Sequence, residues 1–252
     1  MYHFFVEKEQ IDEVNKQLFI DGDNYNHMIN VLRMVKGEEF SVSVKDGDGK
    51  EYRYAVEEIK DKMVIGTLLF IKEPDVELPS KIYLFQGLPK ADKMELIIQK
   101  AVELGAYEII PVATKRAVVK LDEKKAKNKI SRWQSISEAA AKQSKRAIIP
   151  KVSMPMTFGE AIKRASEMDV RLIPYELAEG MDKTRQLISE VKAGESIAIF
   201  IGPEGGFDDR EIEKAIENGV IPITMGRRIL RTETAGFTIL SWLMYHLEGQ
   251  KS

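Results

Sequence analysis

The segment SIAIFIGPEGGF, residues Ser196 to Phe207, combines an apolar run with a glycine-rich loop. Ser196–Ile201 reads as a buried strand, and Asp208 and Glu211 after the loop have the spacing of a helix capping box. A strand, a glycine-rich turn and a helix in this order often bind phosphate. No lysine follows these glycines, however, and Glu204 would repel a bare phosphate. The loop therefore predicts either backbone contacts to a neutral or mixed-charge ligand or a purely structural turn.

Elements on both sides of this segment alternate between strand and helix patterns. Apolar runs predict further strands at Lys81–Gln86, Tyr107–Val112, Val170–Ile173 and Ile221–Met225. Helical periodicity and end signals predict helices at Asp92–Leu104, Lys124–Arg146, Asp209–Asn218 and about Thr234–Leu247. This alternation indicates an α/β domain with a mostly parallel sheet.

The first seventy residues have a different, β-rich pattern. Short alternating stretches predict strands at Glu39–Val44, Tyr52–Val56 and Met63–Ile71, with a hairpin turn at Asp46–Gly49 and one helix at Asp23–Val31, capped by Asp23 or Asn24. We expect a small β-barrel here. The proline-containing, acidic stretch Lys72–Pro79 predicts a linker, so the domains are expected at residues 1–72 and 73–252.

The composition of the 252 residues excludes several kinds of site. Cysteine is absent, which excludes disulfides, a thiol nucleophile and a thiolate zinc site, and the three histidines are too widely spaced to predict a metal site. No apolar run has the length of a membrane span, and MYHFFVEKEQ lacks the features of a signal peptide. We therefore expect a cytoplasmic protein.

Positive charge is concentrated in the middle of the chain. Residues 81–151 carry 16 Lys and Arg against 7 Asp and Glu, a net of +9, although the whole chain has a net charge of −2. The clustered residues are Lys115, Arg116, Lys120, Lys124, Lys125, Lys127, Lys129 and Arg132, with Trp133 among them. The cluster predicts contact with a polyanion, and the alternative is a solvated helix face.

Three strand ends carry residues suited to binding. In open α/β sheets, ligands bind outside the carboxyl ends of the strands, here Leu172–Glu176, Ile201–Gly206 and Met225–Ala235. Ile229 and Leu230 in the last loop are expected to be packed, either in the core or as an apolar wall for a flat ligand such as a purine. Thr232 is a candidate cap of the terminal helix.

Several long motifs in fixed order resemble one known family. IGPEGGF and MGRRILRTETA, with QGLPKADKMELIIQKAVELGA and EAAAKQSKR upstream and YNHMINVLRMVKGEEF near the start, are similar to the ribosomal RNA small subunit methyltransferase E family of the SPOUT class. The resemblance covers essentially the whole chain. One departure is Arg227, where the family often has proline.

The resemblance implies an α/β domain with a deep trefoil knot, preceded by a PUA-like RNA-binding β-barrel, and a homodimer. It also implies S-adenosylmethionine as cofactor and methylation of uridine N3 in 16S rRNA. Because this cofactor is a zwitterionic sulfonium, the loop needs no phosphate-binding lysine. The family's cofactor loops map onto Leu172, Pro174, Tyr175, Glu176, Ile201, Gly202, Gly206, Met225, Gly226, Ile229 and Leu230.

Methyl transfer to uridine N3 suggests roles for further residues. Arg231 is the candidate cation for stabilising negative charge on the base, and Glu233 either accepts the N3 proton or orients Arg231. Candidate substrate-binding residues are Arg33 and Arg53 on the barrel, where the alternative is a strand-edge charge. Gln143 and Arg146 on the basic helix are further candidates, where the alternative is an exposed helix face. Two alternatives stay open: an RNA-binding protein with a degenerate pocket, and an enzyme acting on a nucleoside triphosphate or phosphosugar.

Overall fold

The computed structural model describes residues 1–45, 49–73, 76–117, 123–176, 178 and 180–250, without the side chains of Glu123 and Lys125. Three predicted features lie partly outside these residues: most of the turn Asp46–Gly49, residues 74 and 75 of the linker, and Lys120 of the basic cluster. The chain forms two compact units, Met1–Glu77 with Ala141–Ile149 and Leu78–Ala140 with Pro150–Ser252. The expected domain boundary at residues 72 and 73 stays a prediction.

The first unit contains a six-stranded sheet. Its strands are β1 (His3–Val6), β2 (Ile11–Asp12), β3 (Gln17–Ile20), β4 (Glu39–Val44), β5 (Glu51–Lys60) and β6 (Met63–Lys72). Their spatial order is β1-β4-β5-β6-β3-β2, in which β1 and β4 are parallel and the other pairs antiparallel. The three predicted strands are therefore confirmed as β4, β5 and β6.

The predicted helix of the first unit is present but is divided in two. It consists of α1 (Gly22–Asn26), followed directly by a π-helical segment, His27–Val31. A 3₁₀ turn, Lys8–Gln10, lies elsewhere in this unit, between β1 and β2. The N-cap residue is Asp21, so the predicted cap at Asp23 or Asn24 is wrong. The Asn24 side chain instead donates a hydrogen bond of 2.8 Å to the carbonyl oxygen of Phe5, which ties the helix to β1.

The second unit contains a parallel sheet of seven strands. They are β7 (Lys81–Gly87), β8 (Ala106–Ala113), β9 (Lys151–Val152), β10 (Met156–Thr157), β11 (Val170–Pro174), β12 (Ser196–Ile201) and β13 (Ile221–Ile223). The order is β10-β8-β7-β12-β11-β13, and β9 also pairs with β8. Because β12 lies between β7 and β11 and is buried on both faces, its sequence is continuously apolar rather than alternating. The predicted α/β class is confirmed.

Six helices accompany this sheet in the described part of the chain. They are α2 (Lys93–Glu103), α3 (Glu123–Ser144), α4 (Phe158–Ala165), α5 (Met181–Glu190), α6 (Asp209–Glu217) and α7 (Thr232–Glu248). The predicted capping box at α6 is confirmed, since the Asp208 side chain accepts from the N–H of Arg210 and the Glu211 side chain from that of Asp208. None of the described helices is long and apolar enough to cross a membrane.

Stacked aromatic rings fix the centre of the second unit. Phe85 on β7 and Phe200 on β12 stack with ring centroids 4.7 Å apart, and Phe158 at the start of α4 meets Phe200 at 6.0 Å. Phe207, just after the glycine loop, packs on Phe158 at 5.5 Å. These contacts pack the residue after the glycine loop into the core, so the end of the loop is held in place.

Candidate functional site

A cleft of about 720 Å³ opens at the carboxyl ends of β11, β12 and β13 in the second unit. This volume is typical of small-molecule sites. The structure brings ten of the eleven predicted cofactor residues into its wall: Pro174, Tyr175, Glu176, Ile201, Gly202, Gly206, Met225, Gly226, Ile229 and Leu230. The eleventh, Leu172, is fully buried within β11 and does not line the cleft. Cofactor binding by each of these residues stays a prediction.

The glycine loop after β12 is folded back tightly on itself and on β7. A Cβ atom on Gly202 would lie 3.1 Å from the backbone of Gly206, and one on Gly87 would lie 2.6 Å from Cδ of Pro203. Gly206 has φ +66°, a conformation that glycine adopts without strain. The loop thus needs glycine at these positions to bring its backbone to the cleft.

A chain of buried hydrogen bonds joins the glycine loop to the start of α7. The amide nitrogen of the Gln86 side chain donates to the hydroxyl of Thr232 at 2.9 Å, and that hydroxyl donates to the carbonyl oxygen of Gly202 at 2.5 Å. The N-cap residue of α7 is Arg231, so the predicted cap at Thr232 is wrong. Thr232 is the first residue of the helix, and its side chain points back to the loop.

A lysine does reach the glycine loop, but it comes from α2. The ammonium group of Lys93 lies 3.0 Å from Glu204 of the loop and 3.6 Å from Glu233 of α7. Glu204 also accepts hydrogen bonds from the backbone N–H of Lys90 at 3.2 and 3.3 Å. The loop glutamate therefore fastens the loop to the start of α2.

The Lys93–Glu204 contact favours the charged form of both groups. The hydrogen bond to Glu204, the largest effect, raises the pKa of Lys93 above its ordinary value. For Glu204, burial is the largest single effect and opposes ionisation. Hydrogen bonds with its own backbone, Lys93 and Lys90 together outweigh burial and lower the pKa of Glu204.

Some residues of the cleft could not be recognised from the sequence, mainly Lys93, Arg116, Phe207 and Thr224. Arg116 had been assigned to the polyanion cluster, yet its guanidinium donates to the carbonyl oxygen of Gly205 at 3.2 Å. Lys93 occurs in the motif ADKMEL, but nothing local in that motif points to a loop far along the chain. No group of three or more metal-ligating side chains occurs in the described ranges.

The loop after β13 is more exposed than expected. Ile229 lines the cleft with 89% of its surface exposed, so the expectation that it packs in the core is wrong; Leu230 beside it is half-buried. The alternative of an apolar wall for a flat ligand stays a prediction. Ile229 belongs to a wall of an open cleft rather than to the protein interior. Gly226, with φ +99°, turns the chain at the start of this loop, and its N–H donates to Thr224 at 3.3 Å.

The two predicted catalytic residues, Arg231 and Glu233, flank Thr232 at the start of α7. Arg231 is exposed and lines the cleft, whereas the Glu233 side chain is 16% exposed. The Oε2 atom of Glu233 is buried without a hydrogen-bond partner and faces the ammonium of Lys93 at 3.6 Å. Glu233 is not among the residues that line the cleft, although its neighbours Arg231 and Thr232 are. A carboxylate oxygen without a hydrogen-bond partner is chemically suited to accept a hydrogen bond or a proton.

The four predicted substrate-binding residues belong to the first unit. Arg53 lies in β5, which is an interior strand, so the alternative of a strand-edge charge is wrong. Its guanidinium pairs with Glu51 at 3.0 Å and lies 5.5 Å from the ring centroid of Phe70. Arg33 is exposed, with φ +55°, just after the π-helical segment.

Arg146 is not on the basic helix, because α3 ends at Ser144. Its side chain is 6% exposed and forms an ion pair with Glu77, whose carboxylate also accepts from the N–H of Ala147 at 2.9 Å. The alternative of an exposed helix face is therefore wrong for Arg146, whereas Gln143 in the last turn is exposed. Substrate binding by these residues stays a prediction.

Both parts of the chain are similar to known protein families. The RNA methyltransferase domain family model matches residues 76–244, and the RNA methyltransferase PUA domain model matches residues 20–69. The ribosomal RNA small subunit methyltransferase E of Bacillus subtilis is 37% identical over 98% of this chain and 98% of its own length. The corresponding protein of Synechocystis is 32% identical over 98% of this chain and 78% of its own.

Solved structures with bound cofactor are also similar. A ribosomal RNA small subunit methyltransferase E from Neisseria gonorrhoeae bound to S-adenosyl methionine has a TM-score of 0.81 and 28% identity, covering 97% of each chain. A protein from Legionella pneumophila, solved with the bound cofactor SAM, has a TM-score of 0.82 and 32% identity, covering 96% of each chain. Together with the cleft at the three strand ends, these matches show that the chain belongs to the ribosomal RNA small subunit methyltransferase E family.

Proposed function

We propose that this protein transfers a methyl group from S-adenosylmethionine to N3 of a uridine in 16S rRNA. The observation that carries the proposal is the single cleft formed by three strand-end loops, which contains ten of the eleven residues expected to hold the cofactor. The names and bound cofactor of the similar proteins support it.

The cleft fits a flat, zwitterionic cofactor. The tightly folded glycine loop presents backbone groups, and Ile201, Ile229 and Leu230 offer apolar surface for a purine. When bound, S-adenosylmethionine supplies an electrophilic methyl group on a sulfonium centre. The residues of this chain would hold it by backbone contacts from the three loops and orient it toward the acceptor nitrogen, which by itself lowers the barrier.

Arg231 and Glu233 would act on the acceptor base. As the bond from N3 to the methyl carbon forms and the bond from the methyl carbon to sulfur breaks, N3 loses its proton and the demethylated thioether cofactor is released. Arg231, exposed at the cleft, would stabilise negative charge on the base. Glu233 would accept the proton or orient Arg231, and its unsatisfied Oε2 suits either role.

The first unit would contribute to RNA binding. Arg33, Arg53, Gln143 and Arg146 are the proposed contacts there, and the basic residues of α3 would contact phosphates.

We further propose that residues 1–72 form the PUA-like barrel and residues 73–252 the SPOUT domain with its trefoil knot. We also propose a homodimer in the cytoplasm. The six-stranded sheet of the first unit and the match to the PUA domain model support the barrel, and the family resemblance supports the other assignments.

Mass mapping of 16S rRNA from a strain lacking the gene tests the proposal. Adding the protein and S-adenosylmethionine should restore one N3-methyluridine, and Arg231→Ala should abolish most of that methylation while cofactor binding persists. Cofactor binding without methylation of rRNA or ribosomal subunits would contradict the proposal. Absence of cofactor binding in calorimetry would favour the non-catalytic RNA-binding alternative, and thermal protection by ATP alone would favour the phosphate-binding enzyme.

A further inference from the structure

Lys93 lines the cleft and contacts carboxylates from two other parts of the second unit. It starts α2, contacts Glu204 in the glycine loop and faces Glu233 at the start of α7. Its side chain is 30% exposed, compared with 28% for Glu204 and 16% for Glu233. Three charged groups therefore share a partly desolvated space, where ion pairs are stronger than on an open surface.

The two carboxylates depend on Lys93 to different extents. Glu204 keeps the backbone N–H of Lys90 as a second partner, and the loop is also held by Arg116 through the carbonyl of Gly205. Within the described part of the chain, Glu233 has no other cation within ion-pair distance, and its Oε2 accepts no hydrogen bond. Loss of Lys93 would therefore disturb Glu233 much more than the glycine loop.

We propose that Lys93, anchored on Glu204, is a positioning residue that holds the carboxylate of Glu233 at the start of α7, next to the cleft residues Arg231 and Thr232. The proposal rests on the methyltransfer function and assigns Lys93 to the acceptor base rather than to the cofactor. It explains why the loop contains a glutamate: Glu204 fixes the ammonium from one side, and the same ammonium restrains Glu233 from the other.

The test compares Lys93→Met with Lys100→Met. Lys100 lies on the same helix and pairs with Glu103 at 2.7 Å, away from the cleft lining, so it is a matched control for losing one lysine of α2. With 16S rRNA as acceptor, we expect Lys93→Met to lower kcat by about 100-fold, the effect of misplacing a reacting group. Its affinity for S-adenosylmethionine in calorimetry should stay close to that of the wild type.

Glu233→Gln and the double variant show whether Lys93 acts through Glu233. If it does, Lys93→Met/Glu233→Gln is no slower than Glu233→Gln alone, because the second change removes nothing further. Lys93→Arg keeps the cation and should retain much more of kcat than Lys93→Met. If Lys93→Met folds poorly, Lys93→Gln takes its place in this comparison.

Two outcomes would overturn the inference. One is a kcat for Lys93→Met equal to that of Lys100→Met, and the other is a loss of cofactor affinity that accounts for the whole decrease in activity. Failure of the wild type to methylate rRNA in the same assay would instead count against the proposed function itself.

Discussion

The hydroxyl of Thr232 donates to the carbonyl oxygen of Gly202 at 2.5 Å and accepts from the side-chain amide of Gln86 at 2.9 Å. Thr232 and Gln86 are 5% and 0% exposed, so water does not replace these bonds. A buried carbonyl that loses its partner costs about 1–3 kcal/mol, and the Gly202 carbonyl is partly buried. The hydroxyl of Thr232 is therefore one of the contacts that hold the glycine loop beside the cleft.

Thr232→Val removes this hydroxyl with little change of shape. We expect it to weaken binding of S-adenosylmethionine by about 10-fold, equivalent to about 1.4 kcal/mol, because the Gly202 carbonyl loses its donor. Thr238→Val on the same helix is the control, since its hydroxyl donates to the carbonyl of Thr234 within α7. Equal affinities of the two variants in calorimetry would show that the Thr232 bond does not hold the loop.

Gly87→Ala tests the close approach of β7 to the glycine loop. The new Cβ would lie 2.6 Å from Cδ and 2.7 Å from N of Pro203, so backbone must move, at a cost of about 1–3 kcal/mol in the free energy of unfolding. Gly159→Ala is the control, because its nearest neighbour is the flexible end of Lys214. If urea unfolding gives the same free energy of unfolding for both variants, the close contact of Gly87 with Pro203 does not require glycine.

The ion pair of Glu77 with Arg146 is expected to stabilise the first unit. Arg146 is buried, and removing its carboxylate leaves a desolvated charge, so Glu77→Ala should lower the free energy of unfolding by about 3 kcal/mol. Asp182→Ala breaks the exposed pair with Arg185 and should cost less than about 0.5 kcal/mol. Similar losses in the two variants would indicate that Arg146 is adequately held by other groups.

The carboxylate of Asp208 should make the free energy of unfolding depend on pH. The hydrogen bond from Lys115, the largest effect, lowers the pKa of Asp208 below its ordinary value. The folded protein therefore favours the ionised carboxylate. This contribution to the free energy of unfolding is complete at a pH above the ordinary pKa of aspartate, and it is lost as the pH falls through the pKa of Asp208 in the folded protein.

Asp208→Asn keeps a good N-cap but removes the charge. It should be less stable than the wild type at about pH 7 and approach it at about pH 3, below the ordinary pKa of aspartate. Asp182→Asn, at a residue whose side chain is 95% exposed, should show a smaller change between the two pH values. A difference between Asp208→Asn and wild type that is independent of pH would contradict the expected role of charge.

The basic residues of α3 should make RNA binding strongly dependent on salt. Lys124→Ala and Lys127→Ala should each reduce the slope of log affinity against log salt by about 1, as expected for a phosphate contact. Lys183→Ala on α5 is an exposed control and should leave the slope unchanged. Affinity that does not change with salt would contradict a polyanion interface.

The sequence predicted those features that depend on neighbouring residues. The apolar run Ser196–Ile201, the glycines after it and the Asp208 cap correctly located β12, its loop and α6. Helix α4 was missed although Thr157 and Glu160 form a capping box that local spacing could have revealed. Its apolar residues do follow helical spacing, but the helix is only 8 residues long.

Contacts between distant residues could not be predicted in this way. Lys93 pairs with glutamates far along the chain, and Arg146 pairs with Glu77, 69 residues upstream. The sequence shows that these residues are charged but not which charge lies beside them. For the same reason the sequence did not predict that Arg146 is buried against Glu77.

The discontinuous first unit limits how the protein can be divided. Residues 141–149 belong to that unit although residues on both sides of them belong to the second. A fragment starting at Leu78 would retain Arg146 without Glu77 and would expose a guanidinium that the intact protein buries. Truncation or domain exchange at the linker should therefore give poorly expressed protein, and gene fusions in this family would need to carry both segments together.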